Sequence, residues 1–357
     1  MSRRTDRPAL LLVGPHGVVG SAVRQRFASQ PDWELVTASR RERTPTATGG
    51  SQRAISVDLL DRAASLAQLG SLRDVTHVVF AGYTERPTMA EMVAPNVAML
   101  RNTIDGLIAA GAQLRHVVLI GGGKSYGEHL GPYKTPAKES DPRMLGPIFY
   151  NDQEDLLTQA AARVGFRWTV LRPDLVLGFA LGSPMNMLMS LGVYAALCKD
   201  AAVPLRFPGT PRAWTALHQV TDADILASAV EWALTTPEAT GEVFNVTNGD
   251  HFRWQHLWDD IAGVFEMETA TPQPMSLTEQ MADQGPRWEG LVDRHGLAAT
   301  SYADVSGWPF ADAVLATDYD MVQSTIKIRQ AGFDGCVDTH ASVVGQLTAL
   351  RERGFLP

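Results

Sequence analysis

The sequence predicts an α/β protein built on a doubly wound parallel sheet, with a smaller, mostly helical lobe after it. Three observations carry that expectation. The run Leu10-Leu11-Leu12-Val13 is apolar without alternation, as a strand buried on both faces must be, and it leads directly into glycines and a helical pattern. Further short apolar runs then alternate with helical stretches through the first half of the chain. Beyond Gly178 the texture changes to apolar helical stretches and scattered aromatics.

The first unit is Leu10 to Gly20, with glycines at a G-x-x-G-x-x-G spacing. Val18, Ala22, Val23 and Phe27 share one face of the helix that follows. In this Rossmann-type arrangement Gly14 allows the tight turn and Gly17 lets the backbone approach a pyrophosphate. Gly20 lets the helix pack closely, and His16 caps or lines the loop. As a bare pattern the spacing serves a dinucleotide or a structural turn, and its place after the first strand favours the dinucleotide. The second strand, Glu34 to Ala38, runs into Ser39-Arg40-Arg41 with no carboxylate at its end. Sites selective for NAD place an acid there, on the ribose hydroxyls. Two guanidiniums instead suit a 2′-phosphate, so NADPH is favoured over NADH. A solvated basic loop is the alternative, since Arg43 continues the run. Asp58, after Ile55-Ser56-Val57, stands where such folds contact adenine, or is an ordinary loop acid.

Val75 to Phe80 and His116 to Ile120 read as strands. Between them Pro95 to Ala110 reads as a helix, with Pro95 in its first turn and Gly111 as the stop. A helix from Tyr150 to Val164 ends at Gly165, and the strand Trp168 to Arg172 is closed by Pro173. Met185 to Cys198 is an apolar, helix-like stretch, followed by the loop Phe207-Pro208-Gly209-Thr210-Pro211. Thr221-x-x-Asp224 has a capping-box signature and opens a helix through Ile225, Ala229 and Trp232. Val243 to Val246 returns to the main sheet. From Asp250 the chain is mostly helical and carries Phe252, Trp254, Trp258, Trp288, Trp308 and Phe310. A nucleotide-binding domain over 1–178, with 212–248 returning to it, would then share one cleft with a substrate lobe over 179–211 and 249–357.

The 357 residues suffice for one sizeable core with an appended lobe, and a net charge of −8 gives no electrostatic case for nucleic acid or an anionic membrane. No apolar segment approaches 20 residues, and no signal peptide precedes the first strand. Cys198 and Cys336 are far apart and His218, His251 and His256 lack ligand-like spacing, so neither a disulfide scaffold nor a metal site is indicated. A cytoplasmic protein with a small-molecule partner is the plain expectation, and a homodimer is compatible with it.

Two residues at strand ends could do chemistry. Lys124 lies in Gly121-Gly122-Gly123-Lys124-Ser125-Tyr126, and Tyr150 in Ile148-Phe149-Tyr150-Asn151-Asp152-Gln153-Glu154. Short-chain dehydrogenases place these residue types one helix turn apart, as Tyr-x-x-x-Lys. Here Glu154 stands four residues after Tyr150, so by that motif alone the pair is absent and Tyr150 is a structural aromatic. The pair survives only if Lys124 replaces the missing lysine in space. The acids Asp152, Glu154 and Asp155 read most simply as helix-start electrostatics.

These blocks resemble the progesterone 5β-reductase and iridoid synthase-like family, divergent members of the extended short-chain dehydrogenase/reductases. The likeness continues through Leu171-Arg172-Pro173, Val193 to Lys199, Ala213-Trp214 and Phe244 to Asp250, and it spans nearly the whole chain. It implies an NADPH-dependent reductase of C=C bonds in enones and enals, with Lys124 and Tyr150 as the catalytic pair. Gly14, Gly17, Gly20, Arg40, Arg41 and Asp58 match its cofactor positions. The remaining cofactor-binding candidates are His16, Val18, Ser39, Leu59, Ala81, Gly82, Tyr83 and Val176. Hydride delivery to the β-carbon of an enone moves charge onto the carbonyl oxygen, and a tyrosine hydroxyl there acts as a one-donor oxyanion hole. A nearby ammonium strengthens that donor, and water later protonates the α-carbon. Delivery to the carbonyl carbon by the same pair, and a non-catalytic NADP(H) sensor, are the rival readings. A sugar-nucleotide epimerase is disfavoured by the missing Tyr-x-x-x-Lys. The chain departs from the family pattern at Gly121, Ser125, Leu130 and Asp174, which leaves the substrate's shape open. Leu130, Met187, Met189 and Phe310 are candidates for the pocket wall, with core packing the alternative for each.

Overall fold

The computed structural model describes residues 7–40, 52–298 and 300–357. Strand β1 (Ala9–Val13) is buried at every position, and its side chains leave alternately toward two faces. Leu10 and Leu12 pack with α1 (Val18–Ala28), while Leu11 and Val13 face the opposite layer. Strands β2 (Glu34–Ser39) and β3 (Gln52–Ser56) extend the sheet outward on one side of β1. After α2 (Arg62–Leu69) the chain crosses back to β4 (Val75–Phe80), which pairs with the other side of β1. Then follow α3 (Met89–Ala109), β5 (His116–Ile120), α4 (Phe149–Val164) and β6 (Arg167–Pro173). The seven strands run parallel in the order β10-β6-β5-β4-β1-β2-β3, where β10 is Glu242–Val246. The order reverses between β1 and β4, and a crevice opens there beyond the strands' carboxyl ends, where such sheets bind ligands.

Several boundaries shift from the sequence expectation, and two of the shifts have a clear physical cause. Pro95 lies inside α3 rather than in its first turn. The helix starts six residues earlier because Thr88 and Glu91 form a reciprocal capping box, each side chain bonding the other's backbone N–H. Later, α7 (Ala223–Thr235) is capped by Asp222, which accepts from the Asp224 N–H at 2.7 Å. Thr221 is not the cap; its hydroxyl donates to the Val246 carbonyl at 2.8 Å.

The strand pair β7 (Val176–Leu177) and β9 (Thr221–Asp222) leads into and out of the second core. That core surrounds α5 (Met187–Asp200), which is buried continuously from Met187 to Cys198. Strand β8 (Leu205–Arg206) and α6 (Pro211–Thr215) follow it. Strand β11 (Thr269–Ala270) lies between α8 (Trp254–Val264) and α9 (Leu277–Gln280). The helices α10 (Gly285–His295), α11 (Tyr302–Val305), α12 (Trp308–Leu315), α13 (Ile326–Gln330) and α14 (Thr339–Glu352) complete the chain. Phe207, Trp214, Trp254 and Trp258 interlock with ring centroids 5.0–6.4 Å apart. Phe207, Trp254 and Trp258 are fully buried, and burying each such side chain stabilises the fold by roughly 1.5–3 kcal/mol. Trp258 keeps its indole N–H satisfied by donating to the Leu205 carbonyl at 3.1 Å. Among the described residues no helix is long and apolar enough to cross a membrane.

Candidate active site

A cavity of about 850 Å³ occupies the crevice beyond β1, β2, β4, β5 and β6. Its floor is the glycine loop. Gly14 holds φ at +82°, and a Cβ there would fall 2.6 Å from the Ala81 carbonyl oxygen. A Cβ on Gly20 would fall 2.0 Å from the Gly14 oxygen, so helix α1 can sit this close to its own entry turn only with glycine. Gly17 faces open space, with nothing within 4 Å of a built Cβ. It is the N-cap of α1 and offers no side chain to the first-turn N–H groups, and no acid stands in that turn. Those N–H groups suit the phosphates of a dinucleotide.

The expected cofactor residues gather on this wall. His16 and Val18 line it from the loop, Ser39 and Arg40 from the end of β2, and Asp58 and Leu59 from beyond β3. Ala81, Gly82 and Tyr83 continue it past β4, and Val176 closes it from β7. Arg41 lies outside the described residues. One Asp58 oxygen accepts the Leu60 N–H at 3.0 Å and so braces its own turn.

Lys124 and Tyr150 reach the same cavity from separate elements. Lys124 stands on a single 3-10 turn, Gly123–Tyr126, just after β5. Tyr150 is the second residue of α4, and its ring packs close against Gly122. A Cβ on Gly122 would sit 2.9 Å from that ring and 3.3 Å from its hydroxyl oxygen. Phe149 backs the ring, centroid to centroid, at 4.2 Å. Burial, with smaller contributions from Tyr83 and Glu128, raises the Tyr150 pKa well above the usual phenol value. The phenol therefore keeps its proton and presents a donor.

Glu154 has a different role from the one its helix-start position suggested. It is 2% exposed and grips Arg172 bidentately, Nε to Oε1 at 2.9 Å and Nη2 to Oε2 at 2.8 Å. Arg143 adds a contact of 2.9 Å. Arg172 in turn lies 5.0 Å over the Tyr126 ring, and the Tyr126 hydroxyl donates to Asn245 Oδ1 at 2.6 Å. The position that carries a lysine in Tyr-x-x-x-Lys enzymes here locks together α4, β6, β10 and the turn bearing Lys124.

A PRISE-like Rossmann-fold domain model matches residues 48–342. The chain belongs to the PRISE-like family. An (S)-8-oxocitronellyl enol synthase of Camptotheca acuminata is 35% identical, across 99% of this chain and 94% of that protein. One from Catharanthus roseus is 30% identical over the same shares. Among solved structures, a UDP-glucose 4-epimerase of Thermotoga maritima superposes with a TM-score of 0.69 at 14% identity, covering 96% of this chain and 99% of that one. A Bordetella bronchiseptica enzyme solved with NAD and UDP gives 0.68 at 18% identity, covering 98% and 97%. These two likenesses concern the fold.

In this PRISE-like chain the pocket-wall candidates divide. Phe310 lines the cavity, with Val314, Thr317, Tyr319 and Met321 of the same region. Leu130 instead is 68% exposed and off the wall, because the loop turns its side chain to solvent. Met187 and Met189 are 0% and 1% exposed and fill the core around α5, so core packing holds for both. Ser125 is likewise enclosed, whereas Asp174 is on the cavity wall. His218 packs between Phe252 and Trp254, and burial lowers its pKa to about 4, so it stays neutral. Among the described residues no cluster of His, Cys, Asp and Glu could hold a metal ion.

Two acids on the wall were not anticipated as a pair. Asp174 follows β6; its Oδ1 accepts the Leu175 N–H at 2.7 Å, and its own N–H donates to Thr221 Oγ1 at 3.1 Å. Burial raises its pKa to about 6. Glu128 follows the Lys124 turn and is 9% exposed. Burial, and then the charge of Asp174, push its pKa well above the usual carboxylate range. In the sequence Glu128 reads as an ordinary loop residue and Asp174 only as a departure from the family pattern.

Proposed function

We propose that this chain is an NADPH-dependent reductase that saturates the C=C bond of enones and enals. The observation that carries this reading is the arrival of Lys124 and Tyr150 at one cavity wall from different elements, beside a glycine loop with an open Gly17. The bound dinucleotide would supply hydride to the β-carbon. Gly14, Gly17 and the first turn of α1 would hold its phosphates, and Arg40 would meet a 2′-phosphate. Tyr150, kept protonated by burial, donates to the carbonyl oxygen as negative charge grows there. Lys124 favours that charged form electrostatically and orients the group beside it. The word enol in the names of the plant relatives fits an enolate stabilised in this way. Residues 1–178 with 212–248 would bind the cofactor, and 179–211 with 249–357 would shape the substrate pocket.

The test is NADPH oxidation with cyclohexenone, an acyclic enal and progesterone, with products identified, for wild type and Tyr150→Phe. The expected result is saturated carbonyls, with kcat lower by about 10²- to 10³-fold in the variant and KM little changed. Allylic alcohols would instead assign delivery to the carbonyl carbon. Tight NADPH binding with no consumption of any enone would count against the reductase.

A further inference from the structure

Consecutive glycines seat two different acids of the site. Tyr150 lies on Gly122, and the Glu128 carboxyl lies on Gly123, where a Cβ would fall 2.0 Å from Oε2. Only glycine leaves room for that carboxyl. Among the described residues Glu128 makes a single side-chain hydrogen bond, a long one of 3.4 Å from Gln323 Nε2. Asp174 Oδ2 is buried with no hydrogen bond of 3.5 Å or less among the described residues, and the Gln219 side-chain amide interacts with the carboxyl. Both acids face the cavity that holds Lys124 and Tyr150. A buried carboxyl lacking full hydrogen bonding destabilises a fold, so two of them beside a tyrosine–lysine pair call for a chemical role.

We propose that Glu128 is a further catalytic residue, the carboxyl that protonates the substrate's α-carbon, with Asp174 as its positioning partner. This rests on the enone-reductase reading, and it replaces bulk water as the proton source. In the step the Glu128 O–H bond breaks and its electron pair stays on the carboxylate. The enolate's electron pair forms the new C–H bond at the α-carbon, and the carbonyl C=O is restored. A proton from solvent, relayed by water entering the cavity, then reprotonates Glu128. The groups facing Glu128 are Lys124 on the turn before it, Tyr133 on the loop after it, Tyr150 on α4, Asp174 after β6, and Tyr319 and Gln323 beyond α12. Lys124 stabilises the carboxylate that forms, while Asp174 opposes it and keeps the acid form populated near neutrality.

The experiment runs wild type, Glu128→Gln and Asp174→Asn with NADPH and an enone in D2O. Wild type should place α-deuterium on one face of the saturated ketone. Glu128→Gln should lower kcat by about 10²-fold and scramble that face, with the β-face of hydride addition and the KM for NADPH unchanged. The alkaline fall in wild-type kcat should move to lower pH in Asp174→Asn, because removing a negative neighbour lowers the Glu128 pKa. Infrared titration supplies a readout without turnover: a protonated carboxyl band present at neutral pH in wild type and missing in Glu128→Gln. Retention of wild-type kcat and α-face by Glu128→Gln overturns the proposal while leaving the reductase intact. An unmoved alkaline limb in Asp174→Asn, or no protonated carboxyl in wild type, overturns it even if Glu128→Gln fails to fold. A wild type that saturates no enone overturns the reductase reading, and this proposal with it.

Discussion

Replacing either partner of the Glu154–Arg172 pair should cost several kcal/mol, and replacing both should cost far less than the sum. The side chains are 3% and 4% exposed, so solvent screening is nearly absent and the small values typical of surface pairs do not apply. Removing one member strands the other as a buried charge, at about 3–5 kcal/mol. The two losses should differ. In Arg172→Met, Glu154 keeps Arg143 at 2.9 Å, which places the cost near the lower bound. In Glu154→Leu, Arg172 keeps no carboxylate among the described residues and retains its stacking over Tyr126 and a hydrogen bond with it, which places the cost near the upper bound. Urea unfolding of wild type, both single variants and the double variant, with m-values compared, measures the cycle. Single losses under about 1 kcal/mol that simply add would refute the view that this pair ties the strand end to α4. Glu154→Lys, which restores Tyr-x-x-x-Lys on paper, should destabilise too, because it sets a cation against Arg172.

Cofactor choice and packing give two further checks. Arg40→Ala should raise the KM for NADPH about tenfold and leave that for NADH nearly unchanged, as expected for loss of one charge-assisted contact to a 2′-phosphate. Equal losses for both cofactors in steady-state assays would remove that assignment. Met189→Ala should lower unfolding free energy by about 2–5 kcal/mol, as a core cavity does, whereas Leu130→Ser should stay within about 0.5 kcal/mol. Denaturant melts with the reverse ranking would return Leu130 to an enclosed site.

The sheet was legible because parallel strands buried on both faces read as unbroken apolar runs, and Val75–Phe80 and His116–Ile120 match the structure residue for residue. The start of α3 was misjudged because Pro95 is a louder signal than the Thr88–Glu91 box, although the box satisfies backbone donors and Pro95 satisfies none. In the site, strand-end and turn positions led to residues, Lys124 and Tyr150 among them, that line one cavity. Glu154 carried a usable signal: with Leu157 and Ala161 it falls on the buried face of α4, where an acid needs a cation partner. Glu128 carried none and Asp174 only its departure from the family pattern, since their meeting depends on β5 and β6 being neighbours in the sheet. Met187 and Met189 carried both readings in the sequence because an apolar helix reads alike whether it walls a pocket or fills a core.

The cavity is walled by the N-terminal strands on one side and by Phe310, Thr317, Tyr319 and Met321 on the other. That wall does not exist in the unfolded chain, so whatever fills the cavity draws the folding equilibrium toward the native state. At a ligand concentration a hundredfold above its dissociation constant, that pull amounts to about 2.7 kcal/mol. Resistance to proteases and heat would then track the ligand pool around the protein, the empty form being cleared faster than the filled one.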